Sequence, residues 1–286
     1  AGPAMAERRK RQLEAPEAAR PEPGLRPIDP DAPRGPMSDT QRKARQVITD
    51  IEQAKLLRAV YSERQLEEVL VDFWFNHFNV FAGKGPTRNY ISEYEREAIR
   101  PYVLGHFRDM LGATAKSPAM LFYLDNWLSS TPAEAGAGRA RGARGARVRG
   151  ARVGAGNPLP GAKRSNGINE NYARELLELH TLGVDGGYTQ EDIVNVAKAF
   201  TGWTMQPRQG SGFMFVPFRQ DPSEKIVLGR TIKPGGVDEG ERVLDIVAAH
   251  PSTARHIATK LAIGFVSDDP PAALVDRAAA KFLATR

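Results

Sequence analysis

The 286 residues contain no cysteine. That excludes a disulfide framework, a thiolate metal site and a cysteine nucleophile, so any metal site has to draw on His, Asp and Glu. No run of 18 or more apolar residues occurs, which excludes a transmembrane helix within this stretch of chain. A Gly-rich phosphate loop, a Gly-x-Ser-x-Gly elbow and a His-Glu-x-x-His pair are also missing. What is present, 41% apolar and 26% charged residues, is the composition of an ordinary globular chain with enough length to bury a core.

The basic pI of 9.6 has a local origin. Between Thr131 and Asn166 the chain carries eight Lys and Arg against the single acid Glu134, a net +7 in a protein of net +6, so all the rest is near neutral. Gly-Ala-Arg recurs three times there, at 142–144, 145–147 and 150–152, with no aromatic residue. Such a stretch cannot offset its own ordering entropy and is expected to be a solvated low-complexity loop over 131–166. As a polycation it could attract an anionic surface or phosphate backbones. It offers no ring for a base to stack on, so no specific nucleic acid is expected. Equally, it reads as a tolerated surface insertion.

Residues 1–40 hold eight prolines and are expected to be disordered. The basic run at 8–11 is followed by no apolar stretch, so it is not a secretory signal. The remaining chain, 41–286, is expected to form one helical domain interrupted by the Arg-rich loop. Because the last residues look helical and uncapped, the chain reads as a fragment of a longer protein, which leaves localisation open between cytoplasm and export.

Helical periodicity dominates the domain. Over Gln65–Phe81 apolar residues surround the axis, as in a buried helix. Further helices are expected over Ser92–Leu111, Pro118–Trp127, from a cap at Asn169 to Gly183, and from a cap at Thr189 to Trp203. Three more are expected over Glu239–Ala249, Pro251–Phe265 and Pro271–Ala284. One β signal interrupts them: Gly212–Arg219 and Glu224–Ile232 flank a turn at Gln220–Ser223 and read as a hairpin, with Pro217 at an edge. The fold class is therefore mainly α, a multi-helix domain with one small β-hairpin.

Several blocks resemble one family. Asn169–Thr204 (NENYARELLELHTLGVDGGYTQEDIVNVAKAFTGWT), Val71–Phe81, Pro118–Ser130, Asp221–Gly229 and His250–Pro271 are similar to the signature blocks of the bacterial domain of unknown function 1800 family, in the family's order. The resemblance spans roughly residues 55–286. It implies a mostly helical fold in a large bacterial protein with no established activity. It also implies truncation at both ends, and a neighbouring gene for a second family that looks like sulfatases and alkaline phosphatases. Phe75, Ser117 and Gln220 stand where relatives often have His, so a family metal site built on those histidines would be incomplete here.

The candidate chemistry lies on polar residues within apolar helices. On the first buried helix Asp72 and Asn76 belong to a narrow polar stripe, while His77 falls on the apolar one. They read either as the border of a polar pocket or as a solvent edge plus a core histidine bonded to a carbonyl. On the signature helix Glu175 and Glu178 stand side by side at i, i+3, able to share a proton or a metal. The alternative is ion pairing, with Arg174 reaching Glu178. His180 lies on another face of that helix. Asp125 and Asn126 end an apolar helix as a cap or a pocket rim, and Asp221 stands at the hairpin turn, as an ion ligand or merely a turn former.

Three functions follow from these residues. The first is a hydrolytic, metal-assisted enzyme, with His77, His180, Glu175 and Glu178 as catalytic groups and Asp72, Asn76, Asp125, Asn126 and Asp221 in binding. A divalent metal is the cofactor class left open. The second is a non-enzymatic accessory of the sulfatase-like neighbour, in which the polar residues only fix helix register. The third is binding to an anionic surface or nucleic acid through the Arg-rich loop.

Overall fold

The computed structural model describes residues 39–131, 167–205 and 212–285. The Pro-rich stretch and nearly all of the Arg/Gly/Ala segment lie outside the described residues. The chain divides into two units, residues 1–45 and 46–286. Of the first, the described part is helical, with Arg42 paired to Asp39 one turn away. The second holds the core and all the candidate residues.

Helix α1 spans Asp39–Tyr61 and α2 spans Gln65–His77. Helix α3 opens as Ile91–Glu93 and widens into a π-helix over Tyr94–Ile99. The sequence pattern carries this helix on to Leu111, but Pro101 has no amide hydrogen to donate and its ring crowds the preceding turn. The chain therefore tightens into a 3-10 turn at Arg100–Tyr102 and restarts as α4, Phe107–Lys116. Helix α5, Pro118–Tyr123, begins where the Ser117 hydroxyl accepts the Ala119 amide at 3.3 Å. Asp125 then adopts a left-handed conformation, φ 60°, and ends the expected helix short of Trp127.

Helix α6 runs through Asn171–Glu175 and continues as a π-helix over Leu176–Thr181. Asn169 Oδ1 accepts the Asn171 amide at 2.9 Å, and Gly183, at φ 87°, turns the chain away. Helix α7, Gln190–Ala199, starts with a reciprocal Thr189/Asp192 capping box. It stops four residues before the expected Trp203, because Gly202 at φ 83° redirects the chain into strand β1, Trp203–Met205.

The hairpin resolves into two. Strand β1 pairs antiparallel with β2, Phe213–Phe215, and β3, Lys225–Val227, pairs with β4, Arg230–Ile232. The two expected strand segments do not pair with each other. Pro217 closes the first into a 3-10 turn, Pro217–Arg219, and the left-handed pair Leu228–Gly229 folds the second back on itself. Helices α8, Asp238–Ala248, α9, Pro251–Phe265, and α10, Ala272–Ala284, complete the unit. The fold is mainly α, and no described helix is long and apolar enough to cross a membrane.

Two buried features tie the strands to the helices. The Trp203 ring is fully enclosed, edge-on to Phe200 and Phe213 with centroids 4.8 and 4.9 Å away. Helix α8 passes so close that a Cβ on Gly240 would stand 2.4 Å from that ring. The Trp203 indole N–H has no acceptor among the described residues. The second feature is Lys225, which has 0% exposure. Its ammonium donates to Glu239 Oε2 at 2.5 Å and to the Asp221 carbonyl at 2.6 Å, while Glu239 Oε1 accepts the Gly235 and Gly236 amides at 2.9 and 3.3 Å.

Breaking this pair leaves an uncompensated charge in the interior. Lys225→Met is expected to cost about 3–5 kcal/mol in urea unfolding. Adding Glu239→Leu should recover part of that and no more, because the two glycine amides then lose their acceptor. A single-variant loss below about 1 kcal/mol would contradict this account.

Candidate functional site

The structure brings three of the five histidines together where α2, α6 and α9 meet. His77 and Trp74 share the inner face of α2, one turn apart, and His77 is 6% exposed. His180 lies in the π-helical end of α6 and is equally buried. His256 and Lys260, four residues apart on α9, occupy one face of that helix, both half-buried. The His77 ring is 6.3 Å from His180 and 6.2 Å from His256, centroid to centroid.

Backbone carbonyls fix these rings. The last carbonyls of a helix have no partner within it. The one on His180 accepts from His77 Nε2 at 3.0 Å, and the one on Leu179 bonds the His256 ring. A carbonyl only accepts, so His77 holds its proton on Nε2 and its Nδ1 is a bare lone pair. Both His77 Nδ1 and His256 Nε2 are buried without a partner among the described residues. Gly183 makes room for this: a Cβ there would stand 3.0 Å from His256 Nδ1, at a left-handed φ of 87°.

Electrostatics keep the cluster neutral. Burial lowers the pKa of all three histidines, and the Lys260 ammonium lowers them further. His180 is pushed down to about 3. Burial lowers Lys260 as well. The neighbouring histidines also depress His77, and no carboxylate offsets any of these effects.

The carboxylates nominated with these histidines stand elsewhere. Glu175 is half-buried and its pKa rises through burial and the nearby Glu178 charge. Glu178 bonds the Tyr188 hydroxyl, whose pKa rises by burial and by that neighbour. Arg174 turns back to Glu170 and Gln190, at 3.4 and 3.2 Å, rather than forward to Glu178. Asp72 is exposed and ion-paired with Lys55, and Asn76 donates to the Asp72 carbonyl at 2.9 Å.

Asp125 pairs with Lys84 at 2.8 Å. The next residue, Asn126, is buried, and its amide reaches the Phe200 and Trp203 carbonyls, each at 3.3 Å. At Asp221, burial would raise the carboxyl pKa, but the Ser223 hydroxyl and amide, with Lys225 and Lys198, hold it below its usual range. Of the nine nominated residues, therefore, His77 and His180 meet, Glu175 and Glu178 stay together on α6, and the others serve ion pairs, a turn or hydrogen bonds to backbone carbonyls. Among the described residues no group of three His, Asp or Glu side chains is placed to hold a metal ion.

Sequence reasoning passed over His256 and Lys260. Their i, i+4 spacing on an amphipathic helix was the available signal. It also passed over an apolar cleft of about 680 Å³ bounded by α2, α4, α8, α9 and α10. Leu70, Trp74, Phe107, Met110, Leu261 and Phe282 line it, and none of the nine nominated residues does. The half-buried guanidinium in its wall, Arg108, is already bonded to Asp245 at 2.6 Å and Glu241 at 2.8 Å. Trp74 links cleft and histidines, its ring edge-on to His77 at 5.4 Å.

The histidines carry a pH signature. A histidine held neutral in the fold takes up a proton more readily once the chain unfolds, so stability falls as pH drops below the ordinary value near 6.5. From pH 7.5 to 5.5, His77 and His180 are each expected to cost on the order of 1 kcal/mol. His180→Gln should flatten the dependence of unfolding free energy on pH by that amount. An unchanged slope would remove His180 from the neutral set.

A search of the curated proteins finds no match, and neither does a search of the solved structures. A family model described as "Protein of unknown function (DUF1800)" matches residues 3–286, nearly the whole chain, and the chain belongs to that family.

Proposed function

We propose that this domain is a binding module whose cleft takes a small, uncharged apolar molecule or the apolar part of a larger one. One observation supports this above the others. The cleft has the volume of a small-ligand site and an aromatic and aliphatic wall, with its guanidinium already neutralised. A neutral, largely apolar occupant matches that wall, in which Arg108 is already paired and Asp109 is exposed to solvent. The hydrolytic reading draws support from the meeting of His77 and His180, but it also asks for carboxylates beside them; Glu178 instead bonds Tyr188, and Glu175 does not act on either histidine.

The test uses Trp74 as the reporter, since it lines the cleft. Titration with 1-decanol is expected to change tryptophan fluorescence saturably. Leu261→Trp, which fills the cleft, should weaken binding by at least about tenfold, or 1.4 kcal/mol, while leaving the unfolding midpoint near its original value. Absence of saturable binding to the parent protein, or equal binding to the filled variant, would overturn the reading.

A second reading rests on a separate surface. Leu56, Leu57, Val60 and Tyr61 on α1 are all more than half exposed, which supports a role as a partner of another protein, with the sulfatase-like neighbour as the partner proposed. Co-purification of the two from a strain expressing both, abolished by Leu57→Asp with Tyr61→Asp, is the expected outcome. Co-purification unaffected by those changes would move the partner surface off α1.

A further inference from the structure

We propose that the junction of α2, α6 and α9 is a binding site for a phosphate group, which enters carrying a proton and is held by His77, His256 and Lys260. The argument starts from what the site offers. Two rings whose centroids are 6.2 Å apart each spend one nitrogen on a carbonyl at the end of α6 and leave the other bare, buried and without a partner. One turn beyond His256 on α9, the half-buried Lys260, whose charge acts on both rings, makes no ion pair or hydrogen bond among the described residues. The ligand therefore has to donate to bare nitrogens and accept from an ammonium.

A fully ionised sulfate or carboxylate has no hydrogen to donate, and an alcohol or amine brings no negative charge for Lys260. A phosphate group does both within one small tetrahedron, because before its second ionisation, near pH 6 in an ester and about pH 7 in the free ion, it carries P–OH beside charged oxygens. The hydroxyl donates to a bare ring nitrogen while the charged oxygens accept from the Lys260 ammonium. No covalent bond changes. One proton is shared between phosphate and imidazole, and Lys260 supplies the charge-assisted bond.

The charge that acts on all three rings is the Lys260 ammonium, and it favours an anion. The groups that act on His77 are Lys260 and His256 from α9 and His180 from α6. Those that act on His180 and His256 reduce to the same Lys260. No carboxylate on any of the three helices acts on the cluster. A metal cation would meet the Lys260 ammonium, and the three rings do not stand at metal-ligand geometry. The ligand brings its own proton, so binding follows the protonation of phosphate and weakens as pH rises. The site is independent of the apolar cleft, which His77, His256 and Lys260 do not line.

Isothermal titration of the full chain with inorganic phosphate at pH 6.5 is the direct test, with sulfate at equal ionic strength as the control. The expected result is saturable binding with a Kd of about 1 mM or tighter. It should weaken several-fold by pH 8 and be weaker still for sulfate at pH 6.5. Lys260→Met, at a half-buried position, should reduce affinity at least tenfold, whereas Met in place of the exposed Lys233 should leave it unchanged. His256→Gln, with its unfolding midpoint measured in parallel to confirm folding, should also reduce it. No binding of phosphate, equal binding of sulfate, a flat pH dependence, or equal losses in the Lys260 and Lys233 variants would each overturn the proposal.

Discussion

The ammonium of Lys225 has no route to water, and the arrangement of the second half of the domain follows from that constraint. A lysine with no exposed surface needs an anion and further acceptors at hydrogen-bonding distance, or the chain would not keep it inside. Glu239 supplies the anion from α8, and the Asp221 carbonyl supplies an acceptor from the turn before β3. Because Glu239 also gathers the Gly235 and Gly236 amides, one carboxylate locks the entry to α8 and the two-stranded β3–β4 sheet to each other. Trp203 then packs against Gly240 one residue further along α8, so the polar clamp and the aromatic core are adjacent parts of one joint.

Where α2, α6 and α9 meet, the physical problem is reversed. Around His77, His180 and His256 there are bases and carbonyls but no acid, so burial and the nearby Lys260 drive the imidazoles toward neutrality. Each junction has a lysine. Lys225 is fully buried and satisfied by its own chain, whereas the half-buried Lys260 has no ion pair or hydrogen bond among the described residues.

The helices were legible where periodicity and caps agreed. Thr189 with Asp192, Asn169 and Pro251 mark starts that the structure keeps, and Pro251–Phe265 has the expected bounds. Ends were read less well. Trp203 looked helical because it continues an apolar run, and only the left-handed conformation forced at Gly202 turns it into a strand. The β pairing was misread for a related reason: Pro217 and Leu228–Gly229 act within their own segments, where a hairpin reading looks only between segments. Among the site residues, His77 and His180 were visible as polar groups in apolar helices. Their companions on α9 were not, because which helix faces which is a property of packing that spacing along one helix does not encode.

The π-helical end of α6 stores slack close to the site. Over Leu176–Thr181 the backbone bonds reach one residue further than in an α-helix, as in the Leu182 amide to the Leu177 carbonyl at 2.9 Å. Such a segment holds one more residue than an α-helix of the same span needs. Loss of any single residue between Leu176 and Leu179 is therefore absorbed by a return to ordinary α-helix, with little change in length. It also leaves the two ends of the helix facing as they do now, because a π-helical turn takes about one residue more than an α-helical one. Glu175 and the residues before it would keep their neighbours, while the side chains within the segment would be shared out anew around the axis.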